Sequence, residues 1–190
     1  MKKTILLLTV ILFIACGKEK TEENNIEISN EGYMKTESDS LLLRSGYIYG
    51  PFNKSEGVIY QIILNASYSN NNTFFLLFDA GVNLVIQSNS TNDIVAGVYE
   101  YQPDDNEKTL TIQEGNFYYL NDEDKEKPIR SPSNTYEVRS GQLTIEKIED
   151  YSGHGFQSKL VNLSFQLYSE SNIEISGKYN GKLIILEESN

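Results

Sequence analysis

The residues of this chain that could take part in chemistry are few and lie far apart. The 190 residues include one histidine, His154, and one cysteine, Cys16. His154 stands between Gly153 and Gly155, a flexible setting that does not suit a catalytic base, which must be held beside a nucleophile. We therefore interpret His154 as an exposed loop residue. Because zinc takes three or four His, Cys or carboxylate ligands, a zinc site is not expected.

Carboxylates offer more possibilities than histidine. Asp122, Asp124 and Glu126 alternate in one charged loop and could supply some of the roughly six to eight oxygens that calcium prefers. The glycine that a calcium-binding loop uses for its sharp turn is missing, and Lys125 and Lys127 interrupt the series. A solvated charged loop is the default interpretation, and calcium binding by residues 122–126 stays open. A second acidic loop contains Asp104, Asp105 and Glu107.

Glu137 and Glu146 lie on predicted strands, where a pair of carboxylates could hydrolyse a glycosidic bond if they stood about 5–10 Å apart. Their simpler interpretation is an outer polar face. The sequence contains no glycine-rich phosphate loop, serine nucleophile elbow or dinucleotide fingerprint. We therefore predict no catalytic residue, no metal site and no cofactor, and the residues that bind a ligand are not identified.

Aromatic residues could line a ligand surface, because tyrosine rings combine an apolar body with a polar tip. Packing on strand faces is the stronger interpretation for most of them. The set is Tyr47, Tyr49, Tyr99, Tyr101, Phe117, Tyr118 and Tyr119.

The elements that must position these residues are strands. From residue 41 onward apolar and polar residues alternate with a period of two, and no window shows a helical stripe. The pattern predicts a single all-β domain over residues 41–190, with about nine or ten short antiparallel strands. A β-sandwich and a calycin-like β-barrel share this alternation, so both stay open. Among the clearest inward sets are Val58, Tyr60, Ile62, Leu64 and Ala66, and Val161, Leu163, Phe165 and Leu167.

Several short segments resemble uncharacterised small β-rich lipoproteins of the Bacteroidota. They are Ala96-Gly97-Val98-Tyr99, the segment at residues 140–145 and the segment at residues 177–183. The resemblance implies an all-β fold and a lipoprotein location, and brings no established activity. By local rules Asn180-Gly181 is a two-residue hairpin turn, whereas the resemblance implies that Gly181 lies within a long strand.

The first sixteen residues read as an export signal. Lys2 and Lys3 precede an almost unbroken apolar run at residues 5–14, which is too short for a permanent transmembrane helix of about 20 residues. The run ends at Ala15-Cys16-Gly17, which resembles the lipobox of bacterial lipoproteins, although Phe13 stands where leucine is usual. The resemblance implies a signal peptide over residues 1–15 and lipidation of Cys16.

Residues 16–40 are polar and charged, which predicts a flexible linker between the lipidated cysteine and the domain. The acidic residues just after Cys16 resemble the export signal of surface lipoproteins in the Bacteroidota, so we expect the protein at the cell outer membrane, facing outward. The net charge of −11 argues against nucleic acid as a partner, because that binding depends on clustered Lys and Arg.

Three functions remain open. The first is a non-enzymatic, lipid-anchored envelope protein that binds a protein or glycan or supports the envelope. The second is a calycin-like barrel that carries a small apolar ligand, since eight strands can enclose one. The third, a carboxylate-based glycosidase, has no motif in its favour.

Overall fold

Nine β-strands make up the part of the chain that the computed structural model describes, which is residues 30–37, 39–54, 57–67, 80–88, 93–103, 110–120, 134–153 and 156–186. The strands are β1 Glu31–Lys35, β2 Ser40–Lys54, β3 Gly57–Ser67, β4 Ala80–Ser88, β5 Gly97–Tyr101, β6 Leu110–Tyr119, β7 Asn134–Gly153, β8 Phe156–Ser169 and β9 Glu174–Leu186. Within these ranges no helix has the length and apolar character needed to cross a membrane. The all-β prediction is confirmed. The continuous apolar segment at residues 74–78 also predicts a strand, and it lies outside the described ranges.

The strands form one mixed sheet that closes on itself in a barrel-like ring, in the order β1-β2-β3-β4-β6-β5-β7-β8-β9. The short strand β1 pairs with β2 on one side and with β9 on the other. Beyond the end of β1, strands β2 and β9 pair directly with each other, from Gly46 opposite Leu183 to Tyr49 opposite Leu186. The β2–β9 and β5–β6 pairings are parallel. The prediction of antiparallel strands throughout is therefore wrong at two places. A two-residue hairpin makes its strands antiparallel, and both pairs are further apart in the sequence than such a hairpin allows.

Alternate residues of each strand point into the ring and form one core. The predicted inward sets of β3 and β8 are all buried, which confirms both the strands and their phase. The largest side chains of the core are fully buried and come from four different strands: Tyr99, Tyr179, Phe117 and Met34.

Side chains of neighbouring strands pack closely at two glycines of the ring. A Cβ on Gly46 would overlap Leu183 Cδ2 and would lie 3.2 Å from Tyr179 Cε1. On the other side, a Cβ on Gly115 would lie 2.6 Å from Leu84 Cδ2. Large side chains thus occupy the spaces that these glycines leave, as expected of a close-packed protein core.

The folded region begins earlier than the sequence predicts. Residues 31–35, assigned to the linker of residues 16–40, form β1, and Met34 in this strand is completely buried. The polar residues around Met34 hid the strand from the alternation pattern. Strand β1 is held by pairing with β9 along its whole length, including Tyr33 opposite Lys178.

Asn180 and Gly181 lie in the middle of β9 and form no turn, as the family resemblance implies and against the local hairpin rule. The reason is a long-range contact. The Asn30 side chain accepts a hydrogen bond from the Lys182 backbone N–H at 2.9 Å and donates one to the Arg44 carbonyl at 3.2 Å. A Cβ on residue 181 would overlap Asn30 Oδ1, so glycine is needed here for close approach.

Strand β7 is one continuous strand of 20 residues that runs through Ser140 and Gly141, and the glycine in its interior suggests a β-bulge. Gly141 has a φ of 124°, and a Cβ there would overlap the Gln166 carbonyl oxygen. The register against β8 shifts between Val138 and Ser140. The bulge therefore lies immediately before Gly141, and the strand continues through it.

Candidate functional site

Several residues singled out by the sequence lie outside the described ranges. They are Cys16, the acidic loop of Asp104, Asp105 and Glu107, the possible calcium loop at residues 122–126, and His154. The predictions made for them stay predictions.

Glu137 and Glu146 do not form a catalytic pair. Both lie on β7 and are exposed, and nine residues of strand separate them by about 30 Å, far more than the roughly 5–10 Å of a glycosidase. Glu137 instead pairs with Arg139 at 2.6 Å, and Glu146 accepts a hydrogen bond from Asn162 at 2.7 Å. Their interpretation as part of an outer polar face is confirmed.

The aromatic residues divide between the core and the surface. Tyr99 and Phe117 are fully buried, and Tyr101 and Tyr119 pack against the core from its edge. The ring of Phe117 stacks on Tyr136 with centroids 5.4 Å apart. Packing on strand faces is therefore confirmed for these four residues, and they do not form a shared ligand surface.

A groove of about 350 Å³ runs over the outer face of β7, β8, β9 and β1. We call it the outer groove. Residues that line it are Tyr33, Gln142, Thr144, Ser164, Phe165, Gln166, Glu174, Ser176, Gly177 and Lys178.

Strand register places the polar residues of the outer groove in two rows across the sheet. One row joins Gln142 on β7, Gln166 on β8 and Ser176 on β9. The other row is Thr144, Ser164, Lys178 and Tyr33. Since directly opposed residues have side chains on the same face about 5 Å apart, each row is a continuous line of hydrogen-bonding groups.

Hydrogen bonds fix one side of the groove and leave the other side open. The Gln166 amide donates to Tyr168 Oη at 2.6 Å and to Glu174 Oε1 at 2.8 Å. Within the described part of the chain, the side chains of Gln142, Thr144 and Ser164 make no hydrogen bond to protein. These groups face solvent and are available to a ligand.

Charged residues of both signs lie in and beside the outer groove. Glu174 and Lys178 contribute one charge of each sign to the lining, in a chain whose net charge is −11. At the β1 side, Lys35 stands opposite Ser176, and its Nζ makes a cation–π contact with the Tyr33 ring, 5.2 Å from the ring centroid.

A second polar cluster lies at one end of the barrel-like ring, around a buried lysine. Lys159 Nζ is 2.7 Å from Asp150 Oδ1 and 2.8 Å from Asp93 Oδ2, and only 8% of the lysine side chain is exposed. Asp93 also accepts hydrogen bonds from the Ile94 N–H at 2.7 Å and from Tyr60 Oη at 3.2 Å. This lysine cluster ties together β3, β7, β8 and the segment before β5.

The electrostatics of the cluster indicate a structural role. Burial lowers the pKa of Lys159, but its hydrogen bonds to Asp150 and Asp93 and their negative charges outweigh burial, so the pKa is raised. Lys159 is therefore charged at neutral pH and is not a nucleophile. Burial, together with the Asp93 charge, raises the pKa of Tyr60, which keeps this phenol protonated as a hydrogen-bond donor.

Sequence reasoning missed both the lysine cluster and the outer groove. The lysine cluster could have been suspected from the sequence, because Lys159 precedes Val161 and Leu163 in the series of alternate residues that points into the core. A cation in an apolar row predicts a buried partner, although not Asp93, which lies 66 residues away in the sequence. For the groove no such signal exists, because outward serine and threonine are typical of any solvated strand face.

Comparison of the chain with protein families, with curated proteins and with solved structures finds no match. Across the described ranges, no group of three or more His, Cys, Asp or Glu residues is arranged to hold a metal ion. The outer groove is therefore the candidate functional site that rests on geometry, and the lysine cluster is part of the scaffold.

Proposed function

We propose that this protein is a lipid-anchored envelope protein of the outer membrane, and that its domain acts by binding a partner at its outer surface rather than by catalysis. The observation that supports this mode of action is the core, in which inward side chains from all nine strands are buried, among them Tyr99, Tyr179 and Phe117 at 0% exposed. A protein that carries an apolar ligand needs interior room. The packed centre therefore favours contacts on the outer face.

The anchor follows from the N-terminal sequence, in which an apolar run ends at Ala15-Cys16-Gly17. Each buried methylene of a lipid chain contributes about 0.8 kcal/mol, and stable attachment takes more than one chain. Lipoproteins carry two or three such chains on the cysteine. Residues 17–30 separate Cys16 from β1, and a chain of this length spans at most about 50 Å. The partner must therefore lie at the membrane surface or just above it.

The anchor is tested by Cys16→Ala in the full chain, expressed in a host of the Bacteroidota and labelled with radioactive palmitate. We expect the variant to lose the label and to leave the membrane fraction. Phe13→Leu, which restores the usual lipobox residue, is the matched control and should keep both. If Cys16→Ala stays with the membranes through detergent-free washes, the lipoprotein proposal is wrong.

The orientation is tested separately, by adding protease to intact cells. A domain displayed outside the cell is digested there, whereas a periplasmic marker protein survives. Protection of the domain until the outer membrane is permeabilised would place it on the inner side, and would leave the lipid anchor itself unaffected.

A further inference from the structure

We propose that the outer groove binds a neutral oligosaccharide. This inference rests on the proposed function, because it names the partner class for a domain that binds at its outer surface. It is carried by the two rows of polar side chains across β7, β8 and β9, which are uncharged on β7 and β8, and by Tyr33 at the end of one row.

The hydrogen-bonding groups of the groove match those of a sugar. A serine or threonine hydroxyl both donates and accepts, and a glutamine amide offers two donors and an acceptor. Thr144 and Ser164 are directly opposed across β7 and β8, and Gln142 is directly opposite Gln166. Closely spaced groups that donate and accept fit a chain of hydroxyls better than they fit any apolar ligand.

The Tyr33 ring supplies the apolar contact that sugar rings also need, because tyrosine combines an apolar face with a polar tip. Tyr33 stands opposite Lys178 at the β1 end of its row, and Lys35 Nζ lies 5.2 Å from the centroid of its ring. From β7 to β1 the row crosses three interstrand spacings of about 4.8 Å, or roughly 14 Å. The site is therefore long enough for a short oligosaccharide.

The fold argues against an extended peptide as the ligand. Peptides that add to a sheet use the unpaired backbone of an edge strand. Strands β7, β8 and β9 each have neighbours on both sides in the closed ring, so no such edge is offered at the groove. A docked amphipathic helix needs an apolar groove, whereas this one is lined mainly by hydroxyl, amide and charged groups.

The charges around the groove favour a neutral ligand. Lys178 in the lining and Lys35, opposite Ser176 at the β1 end, oppose a cationic ligand. The chain as a whole, at −11, repels acidic polymers. Neutral sugars are thus favoured over uronic acid polymers.

The test uses the full chain in detergent and measures binding to neutral hexasaccharides of glucose, mannose, xylose and N-acetylglucosamine. A polygalacturonate and an unstructured neutral peptide serve as the other ligand classes. Ser164→Tyr should fill the groove, since outward strand positions tolerate tyrosine, and we expect it to weaken binding at least about tenfold. Ser152→Tyr, at an exposed position of β7 that is not part of the groove lining, is the control and should bind as the wild type does.

Gln142→Ala removes polar contacts without filling the groove and should weaken binding about two- to tenfold. Circular dichroism of each variant shows that it is folded. The proposal is overturned if none of the neutral sugars binds, if binding survives Ser164→Tyr, or if that variant blocks only the peptide or the polygalacturonate. Such an outcome does not affect the membrane anchor, which the Cys16 experiment tests independently.

Discussion

Raising the pH should unfold this domain through its buried tyrosines. Tyr60, Tyr99 and Tyr179 are 3%, 0% and 0% exposed, and burial raises the pKa of each above the ordinary value of 10.0. Their hydroxyls donate hydrogen bonds to Asp93, to the Val95 carbonyl and to the Lys182 carbonyl. In each case the folded protein holds the neutral phenol.

The sign and size of the effect follow from proton linkage. Above pH 10 the unfolded chain loses protons that the folded chain retains, so the free energy of unfolding falls as the pH rises. Each retained proton contributes about 1.4 kcal/mol per pH unit, so three tyrosines give about 4 kcal/mol per unit. Lys159 acts in the same direction, since its raised pKa stabilises the fold only while the lysine is charged. A domain with a stability near the lower end of the usual range, about 5 kcal/mol, should unfold between about pH 11 and pH 12.

The assay follows tyrosinate absorbance and circular dichroism in one pH titration. Exposed members of the 13 tyrosines should ionise first, with native circular dichroism, and the buried ones should ionise only as that signal is lost. Tyr179→Phe is the informative variant. At neutral pH this variant should be about 1 kcal/mol less stable than the wild type, because it lacks the hydrogen bond to the Lys182 carbonyl. Above pH 10 its stability should fall less steeply than that of the wild type, so that the stability curves of the two proteins meet near pH 11.

The reasoning is refuted if all the tyrosines ionise with an ordinary pKa while the circular dichroism stays native. It is also refuted if Tyr179→Phe lowers stability by the same amount at every pH, because the phenol would then contribute only its hydrogen bond.

Two further substitutions test the scaffold by urea unfolding. Lys159→Met should lower the free energy of unfolding by no more than about 1 kcal/mol, because Asp93 and Asp150 are 44% and 82% exposed and can be hydrated. Replacing both acids with Asn leaves the cation buried without its partners and should lower it by at least about 3 kcal/mol. Equal losses would contradict this account. Gly46→Ala should lower the free energy of unfolding by about 1–3 kcal/mol, because its Cβ overlaps Leu183. Ser45→Ala is the control and should be nearly neutral, because the buried Ser45 Oγ has no hydrogen-bond partner in the described ranges. A neutral Gly46→Ala would mean that the interior has room at this position.

The fold class could be predicted because burial imposes a period of two on every strand with one face inward. The rows that begin at Val58 and Val161 have the phase that the sequence predicts. Strand β1 was missed because a five-residue strand with one buried residue, Met34, has too little periodicity to detect. The parallel β2–β9 pairing was missed because ring closure joins the second strand to the last one, more than 100 residues later in the sequence, and no local pattern encodes such a contact.

Asn180-Gly181 shows why local rules fail at such contacts. The dipeptide is a strong hairpin signal because both residues tolerate positive φ, yet here β9 passes straight through it. Its glycine provides room for Asn30, whose side chain accepts the Lys182 N–H. The same residue type serves two purposes, and only the position of a residue 151 places earlier in the chain decides between them.

The outer groove poses the same problem for function. Thr144 and Ser164 belong to different strands, and Tyr33 belongs to a strand that the sequence did not reveal. Each alone is an ordinary outward residue, and only the registers β7–β8, β8–β9 and β1–β9 place them in one row. A site built on the outer face of a closed sheet makes no demand on the apolar pattern, so its residues are free to vary without disturbing the fold. For that reason the fold of this protein could be predicted from its alternation, whereas its binding site required the register of the strands.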